Sequence, residues 1–154
     1  MEIRDLVTPD SVVANLKATS KKQALQELAA HVANICGQHE RSIFDVLMER
    51  ERLGTTGVGN GIAIPHGKLP TLETLFGVFA RLEKPVDYQA IDERPVDLIF
   101  LLLVPELAGA DHLKALARVS RLLRDESVCD KLRGTDSADA LYAILTESME
   151  TRAA

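Results

Sequence analysis

Residues 96–104, VDLIFLLLV, constrain the fold of this chain more than any other stretch. From Leu98 to Val104 every side chain is apolar, so the segment has no face suited to water. The run is far too short to cross a bilayer, which takes about 20 apolar residues in a helix. It predicts the central strand of a sheet. Pro105 closes that strand, because proline donates no ladder hydrogen bond. Residues 75–82, nearly all apolar but broken by Gly77 and Arg81, predict a second strand covered on both faces. Ile62, Ala63 and Ile64 predict a short buried strand stopped by Pro65, and residues 12–16 predict another strand. Residues 83–95, with two prolines and alternating acids, read as a loop or edge structure.

Helical spacing fills much of the remainder. Ser20 and Gln23 form a capping box before Leu25, Leu28, Val32 and Ile35, and Gly37 supplies the stop. Ser42 with Asp45 opens a second helix carrying Ile43, Phe44, Leu47 and Met48, ended by Gly54. Asp111 is the expected cap of a third helix, through Leu113, Leu116, Ala117, Ser120 and Leu123. A fourth spans 126–133 up to Gly134, and Asp136 caps a last one through Leu141, Ile144 and Leu145. The polar tail after Glu147 is expected to fray. With neither internal repeats nor a linker, residues 1–154 read as one α/β domain with an ordered core of about 3–147.

Composition removes several function classes. A net charge of −5, six aromatic residues and no Trp argue against a nucleic-acid surface, an anionic membrane partner or a base-stacking platform. Cys36 and Cys129 fall in helical patterns without metal or redox spacing and read as buried cytosolic thiols. The start of the chain lacks a basic stretch followed by an apolar one, so no signal peptide is expected and the location reads as cytoplasmic.

Chemistry concentrates in residues 54–68, GTTGVGNGIAIPHGK. Gly54, Gly57, Gly59 and Gly61 free the backbone for left-handed angles and close approach. The loop is not a P-loop, since no Gly-Lys-Ser/Thr follows, nor a dinucleotide fingerprint, since a strand comes next. His66, between Pro65 and Gly67, stands at an expected strand end, displayed rather than packed. Arg50 lies three residues after Leu47 and seven after Ile43, on the border of the apolar helix face, whereas Arg52 points away. Glu51 also falls on the apolar side by this count. His112 follows Pro105 much as His66 follows Pro65. It sits in the first turn of a helix, leaning towards the packed side, where free N–H groups favour an anion. His31 and His39 read as ordinary surface or half-buried residues.

Brought together, these groups would supply backbone donors (Gly57, Gly59, Asn60, Gly61), a nucleophile (His66), a fixed positive charge (Arg50) and a second imidazole (His112). Phosphoryl transfer needs such a set, because its catalysis is mostly positioning and charge neutralisation. Imidazole suits the nucleophile's role, being largely neutral near pH 7. Two readings of other classes stand beside it. One is a module sensing an anion or nucleotide through the glycine loop without covalent transfer. The other is a metal site of His66, His112 and Asp111.

Residues 59–68, GNGIAIPHGK, resemble the active-site signature of the type-2 (mannitol/fructose-class) IIA domains of the bacterial phosphoenolpyruvate phosphotransferase system. The resemblance extends through ERLGTTGVGNG (51–61), AIDERPVDLIFLLLVP (90–105) and the His112-Leu113 helix start, covering essentially the whole chain. It is nearest to the nitrogen-regulatory (PtsN-type) branch. It implies a three-layer α/β fold with a central mixed sheet flanked by helices on both faces. It also implies phosphorylation of His66, at Nε2, by the histidine of an HPr-like carrier of the NPr type. Arg50 corresponds to the family's phosphate-stabilising arginine and His112 to its second histidine. No metal or organic cofactor is implied. For this branch the implied partners are regulatory targets such as potassium-transport and sensor-kinase components, without nucleic acid or membrane insertion. The alternative within the same chemistry is a sugar-transport IIA component that passes its phosphoryl group to a IIB protein.

Overall fold

The computed structural model describes residues 1–147. In chain order they form β1 (Val12–Leu16), α1 (Lys21–Cys36), α2 (Glu40–Arg52), β2 (Gly57–Gly59), β3 (Ile62–Ala63), β4 (His66–Leu69), β5 (Phe76–Val86), β6 (Val96–Pro105), α3 (Ala110–Arg124), α4 (Glu126–Arg133) and α5 (Ala138–Leu145). The strands make one mixed sheet in the order β1-β5-β6-β3-β2, with β4 also on β6. β6 pairs antiparallel with β5 and parallel with β3 and β4, while β1 runs parallel to β5.

The apolar run is the centre of this sheet, as its composition requires. Residues 98–104 are all fully buried, and their alternation divides them between two cores. Ile99, Leu101 and Leu103 meet Leu25, Leu28, Val32, Ile43 and Leu47 of α1 and α2. Leu98, Phe100 and Leu102 meet Val119, Leu123, Leu132, Leu141 and Leu145 of α3, α4 and α5. Burying each such side chain is worth about 1.5–3 kcal/mol, so covering both faces of β6 favours three layers.

Several boundaries differ from the periodicity, each for a local reason. α2 begins at Glu40 with His39 as its N-cap. Asp45 pairs with Arg41 at 3.1 Å along the helix instead of joining Ser42 in a cap. α3 starts after Gly109, whose φ of 58° turns the chain, so Asp111 is in the first turn and not the cap. Ser137, not Asp136, caps α5 through Ala140 N–H. At α1 the Ser20 hydroxyl accepts from Gln23 N–H at 3.1 Å, but Gln23 reaches back one residue further, to Thr19 N–H. β5 runs on to Val86, through part of the expected loop. Pro85 is tolerated because the β5–β6 register shifts between Arg81 and Val86. The expected fraying after Glu147 lies outside the described residues. Among those residues no helix is long and apolar enough to cross a membrane.

Candidate functional site

β3 and β4 share one track along β6. Ile62 lies opposite Leu98 and His66 opposite Leu102, a constant offset. Pro65 interrupts the track, yet its carbonyl still accepts from Leu102 N–H at 2.9 Å. His66 therefore begins a strand, where the sequence pattern predicted that it would end one. Alternation then sets its direction. Leu69 packs into the α1–α2 core and Gly67 faces Val46 of α2, so His66 and Lys68 face the α3 side.

Gly67 is the reason α2 lies so near. A β-carbon at that position would collide with Val46 Cγ1, and Val46 is about one helical turn before Arg50. Among the described residues β4 pairs with β6 alone. Arg50 reaches His66 past the open edge of β4, from the opposite layer of the molecule.

The hydrogen bonds around His66 fix its tautomer. Nδ1 stands 3.0 Å from the Ile64 carbonyl, and a carbonyl only accepts, so Nδ1 carries the proton. Nε2 consequently presents a lone pair, which accepts from Arg50 Nε–H at 3.3 Å. Nη1 of Arg50 donates to the Gly54 carbonyl at 2.9 Å. Opposite lies His112, with ring centroids 5.7 Å apart and planes at 55°. Nε2 of His112 is buried and has no hydrogen-bond partner among the described residues. Buried polar atoms are normally satisfied, and this one is an exception.

The site disfavours extra protons. Burial lowers the His66 pKa, and the Arg50 guanidinium lowers it further, against upward pulls from the Ile64 carbonyl and Glu51. Burial likewise lowers His112, followed by the positive charge that His66 or Lys68 would place beside it. Both imidazoles are thus held in the neutral form, the nucleophilic one for His66.

The structure brings His66, Arg50 and His112 together, whereas the neighbours found for Gly57, Gly59, Asn60 and Gly61 belong to other parts of the chain. Those four form the β2–β3 hairpin. Its tip pairs with the start of β6, the Gly61 carbonyl accepting from Asp97 and Leu98 N–H. Five residues of extended chain place that tip ~16 Å from His66 at ~3.3 Å per residue. The glycines are explained by protein neighbours. A β-carbon on Gly57 would stand 2.8 Å from Ala90 Cα, and one on Gly61 would stand 2.6 Å from Arg133 Nη2. Asn60 N–H donates to Asp92 at 2.9 Å, and its carbonyl accepts from Arg133, itself bonded twice to Asp97. The turn is a packed corner. The wall next to His66 is instead the segment after α2, where Gly54 holds Arg50.

A buried polar cluster behind that wall went unread in the sequence. The Glu51 carboxylate accepts from Lys21 Nζ at 2.8 Å, Thr56 N–H at 3.0 Å and the Thr56 hydroxyl at 2.6 Å. Tyr88 in turn donates to the Thr56 hydroxyl at 3.0 Å, since that oxygen's own proton is given to Glu51. Burial, reinforced by Glu51, holds the Tyr88 phenol strongly in its protonated form. The available signal was Glu51 itself, a carboxylate on the apolar side of a helix. Among the described residues no group of three His, Cys, Asp or Glu side chains is placed to hold an ion.

His66 thus has one ring nitrogen committed to the backbone and the other facing a guanidinium. The chain belongs to the family described as "Phosphoenolpyruvate-dependent sugar phosphotransferase system, EIIA 2", which it matches over residues 5–148. Within that family it is a nitrogen-related IIA component. It is 61% identical to the nitrogen regulatory protein of Bradyrhizobium diazoefficiens, over 94% of this chain and 95% of the other. It is 39% identical to the nitrogen regulatory protein of Klebsiella oxytoca, over 96% and 92% of the two chains. The crystal structure of nitrogen regulatory protein IIA-Ntr from Neisseria meningitidis superposes with a TM-score of 0.87 at 35% identity, covering 94% of this chain and 98% of that one.

Proposed function

We propose that His66 accepts a phosphoryl group on Nε2 from the phosphohistidine of an HPr-like carrier, and that the phosphorylated and free forms differ in their contacts with regulatory partners. The observation that carries this is the His66 tautomer. Nδ1–H is committed to the Ile64 carbonyl, so the ring's in-plane lone pair is on Nε2, facing Arg50. In the transfer the carrier's P–N bond breaks as the Nε2–P bond forms, and Nδ1 keeps its proton. Charge on the equatorial oxygens is neutralised by Arg50, with His112 on the other side. With Nδ1 still protonated, the product is an imidazolium bearing an about doubly negative phosphoryl group, a net change of about one negative charge, so it alters both the charge and the hydrogen-bonding capacity of this surface.

Three exposed leucines adjoin the site along the chain: Leu53 after Arg50, Leu113 after His112, and Leu107 in the β6–α3 connection. They supply the apolar rim on which a carrier docks. Incubation with phosphoenolpyruvate, enzyme I and an HPr-like carrier should give one acid-labile, alkali-stable adduct, absent in His66→Ala. An adduct that persists in that variant refutes the assignment. Candidate IIB proteins added to the phosphorylated form should take the group poorly. Efficient passage would make this a transport component, and the potassium-transport and sensor-kinase targets implied by the nitrogen-regulatory branch would then be the wrong partners to seek.

A further inference from the structure

We propose that Glu51 is a positioning residue for this transfer, resting on the reading of His66 given above: its buried carboxylate fixes the turn that holds Arg50 against Nε2. Glu51 is the neighbour of Arg50 in the last turn of α2 and is only 9% exposed. It ties together four parts of the chain. Lys21 comes from the start of α1 and Thr56 from the far side of the turn. Tyr88, after β5, bonds Thr56, and its ring lies 4.6 Å beneath the Lys21 ammonium.

Both ends of the turn are thereby anchored. Gly54 N–H donates to the Glu51 carbonyl at 3.1 Å, and the Glu51 side chain clamps Thr56 two residues further on. Between these anchors the Gly54 carbonyl is held in a backbone conformation with φ of 148° and receives Nη1 of Arg50. A guanidinium is planar, so fixing Nη1 on Gly54 leaves Nε aimed in one direction. That direction is His66. A buried ion pair is seldom the most stabilising filling for such a space. What it supplies here is the place of one carbonyl, and through it the aim of one cation.

The test is a double-mutant cycle on the full chain. Rates of phosphoryl uptake are measured for wild type, Arg50→Ala, Glu51→Gln, Thr56→Val and the two double variants, with thermal unfolding to verify the fold. Arg50→Ala should lower the maximal rate on the order of a hundredfold. Glu51→Gln and Thr56→Val should each lower it about tenfold, without changing the carrier concentration at half-maximal rate. Neither should add to Arg50→Ala, because each acts through Arg50. Multiplied losses in the double variants overturn the proposal, as does a loss seen only in the half-maximal concentration. Thr56→Val keeps the volume and leaves the Lys21–Glu51 pair intact, so the cycle stands even if Glu51→Gln fails to fold.

A second readout does not depend on transfer. The Arg50 Nε–H resonance should exchange slowly with solvent in wild type and quickly in both variants. An unchanged resonance overturns the positioning role. Wild type that takes up no phosphoryl group refutes the reading of His66 instead, and the two failures are therefore distinct.

Discussion

Gly67 leaves no space for a β-carbon beneath Val46, and this contact sets how closely α2 approaches β4. Arg50 follows Val46 by four residues, so its reach to His66 depends on that contact. Gly67→Ala is expected to push α2 outward. Overpacking of this kind costs about 1–3 kcal/mol, readable in chemical denaturation. Phosphoryl uptake should fall about tenfold, because a displaced Arg50 neutralises the transferring group poorly. Unchanged uptake in a destabilised Gly67→Ala protein would separate α2 packing from the site.

Arg50→Ala tests the cation directly. The guanidinium is half-buried and its bonds are to His66 and the Gly54 carbonyl, away from both apolar cores. Its removal should change stability by less than about 1 kcal/mol. Uptake should fall by about two orders of magnitude. Unfolding near the wild-type midpoint with undiminished transfer would remove Arg50 from the mechanism.

The two lowered imidazole pKa values give a pH dependence with a defined sign. In the unfolded chain both histidines take up a proton around the ordinary value of 6.5, and in the folded chain only at lower pH. Below 6.5 the unfolded state therefore binds more protons, and stability falls as pH falls until the folded values are reached. Denaturation midpoints between about pH 7.5 and about pH 5 should drop more for wild type than for His66→Gln/His112→Gln. The acid limb of phosphoryl uptake should likewise lie below 6.5, since the lone pair on Nε2 survives to lower pH. An uptake midpoint at or above that value would mean that the pocket does not hold His66 neutral.

How much of this was legible in the chain depends on whether a neighbour in sequence or a neighbour in space decides the residue. Residues 98–104 announced a central strand because no arrangement but burial on both faces suits them. Gly37 and Gly134 marked helix ends through purely local geometry. A proline-histidine-glycine setting is local too and singled out His66, but a helix-face count only aimed Arg50 at the body of the domain, and its expected role came from the family resemblance. β4 was missed because Pro65 reads as a stop. The chain nevertheless resumes the same track along β6, which only the Leu102 pairing reveals. The neighbours of the glycine turn, expected to be a phosphate-binding loop, were hidden for a related reason. Glycine shows that something comes close but not what, and at Gly57 and Gly61 it is Ala90, Asp97 and Arg133. Glu51 was counted onto the apolar face, but its partners lie 30 residues before it, in Lys21, and five after it, in Thr56.

The reassigned hairpin tip can be tested by separating stability from transfer. Gly61 has a φ of 80°, and an added β-carbon would stand 2.6 Å from Arg133 Nη2 and 2.8 Å from Asp97 Oδ1. Gly61→Ala therefore imposes backbone strain and presses on the pair that holds the turn, at a cost of about 1–3 kcal/mol. Arg133→Met removes the guanidinium from Asp97 and from the Asn60 carbonyl, and should also destabilise the fold. Gly61 lies five residues along the chain before His66, and Arg133 bonds the turn beside Gly61. At a separation of ~16 Å the effects should be independent, so uptake by the folded fraction should stay within about twofold of wild type. If the turn instead cradles the phosphoryl group, Gly61→Ala will lower uptake about as much as Arg50→Ala does, at a temperature where both proteins remain folded.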